Sequence, residues 1–545
     1  MTSKSKVKVN FNAITKVCVY TSLAFAIAAC SSMGGNSEAP GADGYDLVIN
    51  NGRVLDPETN FDGIRNVGIK DGRIVAITED VITGSDTIDA KGLVVSPGFI
   101  DTHTHSSQKF AIKMAMMDGV TSAMDTELGA SNVAAWYDAE AGKWPINYGT
   151  CVAHEHSRMM VLDKLEINDP IDASKGFTMR AKAAEDGVNS WSVTVANRDE
   201  INQITKILDK GLTEGALCIG TTPGYAQAGV QSYELFEVQK TAARYGRPIG
   251  SHTRYHTQNK APAESTIGAD EVIANAMALN APLIYSHNND YGWWEIEEKL
   301  QLARDQGYNV WSEYYPYAGG SSNIGAIAYT PAVWEDVLGF TYEEAIYDPS
   351  QSKFLTKEEV VALQKEDPGR IVVGYNNNRF DWFDDWIKEE GMTVGSDGMW
   401  DMRDGMTWDT DSNDFSGHPR TSGTHSRVLR LGREHNVPLM LSIKQLSYNS
   451  AYYLGKMGLT FFDERGRMQE GMVADITIFD ANTVADKSDY VPGENGRPPA
   501  GMPHVIVNGK FVKRDGKALN EMVGKPIRFA PTESKWQPLE LEHIK

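Results

Sequence analysis

The stretch Gly98 to His105, "GFIDTHTH", decides the fold: an apolar run that ends in two histidines one residue apart, in a chain with 12 histidines among 545 residues. Side chains on a strand alternate faces with a period of two, so His103 and His105 point the same way and Thr102 and Thr104 the other. Two imidazoles on one face at the end of a buried strand are poor packing material and good metal ligands. The alternative is a pair of histidines satisfied by hydrogen bonds in a loop, and the motif alone does not separate the two. What stands at the ends of the other strands has to decide.

Eight runs read as strands: "GFIDTHTH", "GVTSAMDTE", "INYGTCVAH", "ALCIGTT", "RPIGSHTR", "PLIYSHNN", "NVWSEYYPY" and "MTVGSDG". Helix-like segments such as "SYELFEVQKTAARYG" and "ADEVIANAMALNA" separate several of them. This βα rhythm implies a parallel sheet, and eight units imply an α/β (β/α)8 TIM-like barrel over residues 98–460. One connection, 318–391, is long and aromatic, as active-site lids are. Residues 45–97 and 461–521 have a different texture, short alternating runs with turn dipeptides such as Asn51-Gly52 and Asp71-Gly72. They predict a small β-sandwich domain built from both ends of the chain, with 522–545 as a C-terminal tail.

Composition is that of a globular protein, 41% hydrophobic and 23% charged, with a formal net charge of -21. That charge argues against nucleic acid and against a polybasic membrane surface as partners. The first residues differ from the rest: Lys4, Lys6, Lys8 and Lys16 precede the apolar run "VCVYTSLAFAIAA", which is too short to span a bilayer. Residues 1–29 therefore read as a signal peptide. "IAAC" resembles the lipobox of bacterial lipoproteins, which implies a lipid on Cys30, a flexible tether over 30–44, and an exported protein anchored to the outer membrane and facing the periplasm. Cys151 and Cys218 remain in the mature chain, either paired or as buried thiols.

Barrel enzymes keep their chemistry at the C-terminal ends of the strands. Those ends carry His103 and His105 on the first strand, Glu127 on the second, His252 on the fifth, His287 on the sixth and Asp397 on the eighth. Six ligand-type residues at corresponding depth point to metal. "GFIDTHTH", "SHTR", "SHN" and "GSDG" in this order resemble the amidohydrolase superfamily. "EGALCIGTTPGY", "SEYYPYAGG", "HPRTSG" and "GMVADITIFDANTV" are similar to its N-acyl-D-amino-acid deacylase (D-aminoacylase) branch.

The resemblance implies that His103 and His105 hold one metal and His252 and His287 another, with Asp397 binding metal and moving protons. It also implies a cofactor of one or two divalent metals, Zn2+ first among them. Two departures matter. The second strand reads "AMDTELG" where the branch has a cysteine, and the fourth strand lacks the lysine that bridges metals elsewhere in the superfamily. Glu127 is the natural substitute as a bridging ligand, with Asp125 one layer deeper on the same face.

For a substrate carboxylate the candidates are Arg254, two residues after His252 on the same strand face, Tyr315 and Tyr317 at the end of the seventh strand, and Arg420 in "HPR". Asn289 stands where the branch carries a lysine. The resemblance implies hydrolysis of a linear amide in a small N-acyl-D-amino acid. Cyclic amides and D-residue dipeptides are the enzymatic alternatives, and a metal- or solute-binding lipoprotein the non-enzymatic one. The oligomeric state is not legible in the sequence.

Overall fold

The structure is a computed structural model. It describes residues 44–539 except 184–188, 257–261, 327–328, 337–338, 402–404 and 492. The signal segment 1–29, Cys30 and residues 31–43 of the tether lie outside the described residues.

Eight strands form one sheet in chain order: Phe99–Asp101, Val120–Ala130, Asn147–Ala153, Ile219–Thr221, Ile249–Ser251, Leu283–Tyr285, Val310–Tyr314 and Thr393–Val394. Every pairing is parallel. All their residues are buried, as expected for strands covered by helices outside and side chains within. The eighth strand meets the first just past their ends. There the Asp397 N–H donates to His103 O at 2.7 Å and the His105 N–H to Gly398 O at 2.9 Å. Closure and the candidate site therefore share the same backbone.

The outer helices follow their sequence signals. Arg198–Thr213 starts at Asn197, whose side chain accepts from the Asp199 and Glu200 N–H groups while the Glu200 carboxylate returns to the Asn197 N–H. Its Ile201, Ile204, Leu208 and Leu212 repeat at helical spacing and are buried. Inside the barrel Cys151 and Cys218 form a disulfide between the third strand and the entry to the fourth, among Ile100, Met124, Ile284 and Trp311.

Five strands before the barrel and four after it, the latter beginning with Ile476–Phe479, make one nine-stranded sheet. Its seam is the antiparallel pairing of Ile476–Phe479 with Val94–Pro97. Asp71 and Gly72, at φ 50° and 76°, form the tight turn between Phe61–Lys70 and Arg73–Thr78. Asn51-Gly52 behaves otherwise. It makes a bulge inside the continuous strand Tyr45–Asp56, with Asn51 at φ 60°.

The long connection after the seventh strand carries a four-stranded antiparallel sheet: Gly319–Asn323, Ile346–Asp348, Lys353–Phe354 and Ile371–Tyr375. It has its own core around Trp334, Tyr342, Leu355 and Val372. At the chain's end, Ile527 is fully buried and exchanges backbone contact with Tyr148 of the third strand.

Candidate metal centre

The six candidate ligands converge at the C-terminal rim of the barrel, all buried except a partly exposed His252. Glu127 is their hub. Its Oε2 lies 3.2 Å from His105 Nε2 and 3.4 Å from His103 Nε2; its Oε1 lies 3.0 Å from His252 Nδ1 and 2.9 Å from His287 Nε2. Asp397 Oδ1 stands 3.2 Å from His105 Nε2 and 3.7 Å from His103 Nε2. Three groups of donor atoms, His103–His105–Glu127, Glu127–His252–His287 and His103–His287–Asp397, each fall within 4.8 Å. Imidazole nitrogens and carboxylate oxygens crowded together in a buried site repel one another unless protons or cations lie between them. This donor set fits divalent cations.

The strand ends explain the convergence. His287 and Asp397 have left-handed backbones, φ 39° and 50°, which turn the chain sharply after short strands. Such conformations cost of order 1–3 kcal/mol and persist where the surroundings impose them. Gly224 permits the approach of His252: a Cβ there would lie 2.3 Å from His252 Cδ2 and 2.6 Å from Thr253 O.

Two carboxylates stand behind the first-strand histidines. His105 Nδ1 pairs with Asp125 Oδ2 at 3.2 Å, and Asp125 Oδ1 also accepts the Glu127 and Leu128 N–H groups. His103 Nδ1 pairs closely with Glu313 Oε1, and Glu313 Oε2 accepts the Thr102 hydroxyl at 2.7 Å. Asp125 occupies the supporting place expected of it. Glu313 was missed, although a signal existed: it shares a face with Tyr315 one layer deeper, as Asp125 does with Glu127.

The four substrate-binding candidates separate. Arg420 is buried, with Nη1 2.9 Å from Asp397 Oδ2 and its guanidinium carbon 4.9 Å from the centre of the Tyr315 ring. Tyr315 lies beside His287, ring centres 6.0 Å apart, and its hydroxyl accepts from Arg379 Nη1 at 2.9 Å. Tyr317 turns instead to Arg427, His418 and Tyr490.

Arg254 is a correction. Its guanidinium is held by Glu271, at 2.7 and 3.2 Å, and by Val230 O. The two-residue alternation that pointed it inward stops at Ser251, where the strand ends, and Tyr255 at φ 60° shows how far the chain has turned. Asn289 is structural, its amide donating to Tyr315 O at 2.9 Å and accepting the Tyr315 N–H at 3.3 Å.

A second wall also escaped notice. The Tyr225 ring stacks on His252 at 4.4 Å, Arg180 lies over Tyr225 and Phe177, and Phe177 meets Trp400 edge-on at 5.1 Å. Leu128 and Met399 belong to the same buried apolar cluster as Phe177 and Trp400.

Burial pushes the Glu127 carboxyl up, but His103 and His287 outweigh it and hold it well below the usual range. Asp397 behaves alike: burial opposes ionisation, and Arg420 and His103 hold its carboxyl below the ordinary value. Both stay anionic. His103 is driven the other way, burial being outweighed by Glu313, Glu127 and Asp397. For His252 burial prevails, and the imidazole falls below its ordinary value.

Comparison with known proteins gives the chain's family and supports its fold. A family model described as "Amidohydrolase family" matches residues 86–513. An N-acyl-D-glutamate deacylase of Alcaligenes xylosoxydans xylosoxydans is 26% identical over 494 residues, 85% of this chain and 93% of the relative. A D-aminoacylase of the same organism is 24% identical over 515 residues, 89% of this chain and 97% of the relative. Among solved structures, an N-acyl-D-glutamate deacylase of Bordetella bronchiseptica, complexed with zinc and a phosphonate inhibitor, superposes with a TM-score of 0.68. It shares 22% identity, over 89% of this chain and all of that one.

Proposed function

The chain belongs to the amidohydrolase family, and on that premise we propose that it removes the acyl group from N-acyl-D-amino acids with uncharged side chains. The observation that carries this reading is the division of the Glu127 carboxylate between two histidine pairs, with Asp397 beside them. It supplies an anionic bridge without the second-strand cysteine or the fourth-strand lysine of the wider superfamily. His103, His105, Glu127, His252, His287 and Asp397 would hold two divalent cations, zinc by analogy with the Bordetella enzyme. Such cations lower the pKa of water towards about 7 and polarise an amide carbonyl.

The residues around them divide the remaining work. Asp397, kept ionised by Arg420, takes the proton of the attacking water and returns it to the leaving amine nitrogen, which departs poorly unless protonated. Arg420 receives the substrate α-carboxylate on the face not turned to Asp397; its Nε has no hydrogen-bond partner among the described residues. Tyr315 lies under that guanidinium and fixes its plane.

Three other guanidiniums are neutralised by carboxylates of their own: Arg180 by Glu155, Arg254 by Glu271 and Arg379 by Asp290. Arg420, paired with Asp397 through Nη1 but with its Nε unpartnered among the described residues, and the Leu128–Phe177–Met399–Trp400 cluster suit one carboxylate and an apolar remainder. With carbonyl and carboxylate both fixed, the mirror isomer must lose a contact or drive its side chain into a wall.

The test is a panel of N-acetyl-D-leucine, N-acetyl-L-leucine and N-acetyl-D-glutamate, assayed by release of free amine. The reading expects kcat/KM to favour D-leucine over both by a hundredfold or more. Equal turnover of the two leucine isomers removes the stereochemical claim, and preference for D-glutamate removes the side-chain claim.

The same reading places the enzyme outside the cytoplasm, tethered by lipid on Cys30. Support comes from the basic, then apolar, then "IAAC" order of Met1–Cys30. Mass spectrometry of the N-terminal peptide from the native host checks it; an unmodified Cys30 would withdraw it.

A further inference from the structure

We infer that Arg379, carried by the long connection after the seventh strand, is a positioning residue for the substrate carboxylate. It holds the Tyr315 hydroxyl so that the hydroxyl proton meets that carboxylate beside the Arg420 guanidinium. The carboxylate itself is the one assigned by the deacylase reading, on which this inference rests.

Arg379 lies in the short helical segment Asn377–Trp382 and is buried. Asp290, at the end of the sixth strand's "SHNND", takes two of its donors, Nε to Oδ1 at 2.9 Å and Nη2 to Oδ2 at 2.7 Å. A guanidinium gripped by both oxygens of a carboxylate has its plane fixed. The remaining arm, Nη1, is thereby aimed, and it donates to the Tyr315 hydroxyl oxygen at 2.9 Å. The segment that carries Arg379 is anchored as well. Asn376 Nδ2 donates to Asp290 Oδ1 at 2.8 Å, and the Asn376 N–H donates to Ala318 O, where the connection begins.

A hydroxyl whose oxygen accepts from a guanidinium still has its proton to give, and the charged donor polarises it. Among the described residues the Tyr315 O–H finds no acceptor. Gly320 marks the space in front of it. A Cβ there would lie 3.5 Å from Tyr315 Oη and 4.0 Å from Arg420 Nη1, so the hydroxyl and the guanidinium border one space that the absent side chain leaves open. The guanidinium carbon of Arg420 stands 4.9 Å from the centre of the Tyr315 ring, and that of Arg379 5.5 Å. Two donors converging on one space match the two oxygens of a carboxylate. Without Arg379 the hydroxyl is free to turn away, and the ring under Arg420 loses its anchor. A guanidinium that merely pinned the connection to the barrel would need Asp290 and not the hydroxyl, and its loss would touch all substrates alike.

The test measures kcat and KM for N-acetyl-D-leucine and its neutral amide analogue in the unaltered enzyme, Arg379→Met, Tyr315→Phe and the double variant. The first two proteins are also crystallised. Arg379→Met and Tyr315→Phe should each raise KM for N-acetyl-D-leucine about tenfold or more, with kcat changed little. Arg379→Met should raise KM for the amide less than about threefold. Because both changes act on one hydroxyl, the double variant should lose no more than about twofold beyond Arg379→Met alone. In the Arg379→Met crystal the Tyr315 hydroxyl should have left the place it holds in the unaltered enzyme. Losses that add, equal losses on both substrates, no loss at all, or a Tyr315 hydroxyl that keeps its place overturn the inference. Should Arg379→Met fail to fold, Arg379→Lys replaces it with the same expectations, since a lysine meets Asp290 as a point charge and lacks the fork that aims a third donor. If the unaltered enzyme leaves N-acetyl-D-leucine intact, the deacylase reading falls, and the two crystal structures decide the inference by themselves.

Discussion

Replacing Arg420 by methionine separates two tasks that meet on one guanidinium. The change removes the candidate carboxylate contact, and a hydrogen bond to a charged group is worth about 1.5–3 kcal/mol. It also removes the neighbour that keeps Asp397 ionised, a loss common to all substrates. kcat/KM for N-acetyl-D-leucine should therefore fall at least about tenfold further than for its neutral amide analogue. Equal losses would show that Arg420 serves Asp397 alone. Arg254→Met should behave differently. It leaves Glu271 without its partner and should cost about 3 kcal/mol of stability in denaturant unfolding while the ratio between the two substrates stays unchanged. His103, His105 and Glu127 were legible because alternation holds on a strand and ligand chemistry is narrow. Arg254 was misread because alternation was carried past Ser251, where the strand had ended. Glu313 went unseen because its place one layer below Tyr315 on the same strand face gains meaning only with its histidine partner, 210 residues away.

At the level of elements, one of the contacts that join the β-rich sheet to the barrel is made by Lys513 of strand Lys510–Arg514. Its Nζ donates to Met117 O, the last residue of helix Lys109–Met117, at 2.7 Å. Cations are favourable at helix C-termini, yet this lysine is buried, and burial brings its pKa down from 10.5 to about 8. A lysine whose pKa is lowered in the folded state binds fewer protons folded than unfolded between those two values. Stability should therefore rise with pH from about 8 to 10.5 and the cost, roughly 3 kcal/mol at neutral pH, should fade. Lys513→Met should lack that rise in unfolding free energy across the same range. A wild-type profile parallel to that of the variant would refute the assignment. The elements show the same division of legibility as the residues. All eight barrel strands were visible as buried runs, and the Asp71-Gly72 turn was visible as a dipeptide. Asn51-Gly52 has the same turn chemistry but sits where both flanks pair with one continuous partner strand, so it makes a bulge. Local sequence cannot distinguish the two.

Across the whole molecule, the centre depends on a closed barrel, since Asp397 is positioned by the backbone contact that closes it. The Cys151–Cys218 disulfide reinforces the opposite wall, between the third and fourth strands, and spans 67 residues of sequence. A cross-link over a loop of that length restricts the unfolded chain by about 4 kcal/mol in the chain-entropy account. The Cys151→Ala, Cys218→Ala double variant should unfold at lower denaturant concentration with its metal content retained. Unchanged stability would show that the pair does not cross-link the native enzyme. The sequence left this pairing open because either thiols or a disulfide suit an apolar strand, and only the 4.6 Å between the Cα atoms brings them within bonding reach.

The central claim is that one carboxylate, Glu127, joins two cation positions and that hydrolysis depends on the pair. Glu127→Gln keeps the shape and removes the charge. Metal content by elemental analysis, measured on the same preparations as N-acetyl-D-leucine turnover, tests it directly. The account predicts that the variant loses metal from both positions and that turnover falls with it, while Asp125→Asn loses only about 10–100-fold in affinity. A Glu127→Gln protein that keeps wild-type metal content and wild-type turnover would contradict the account.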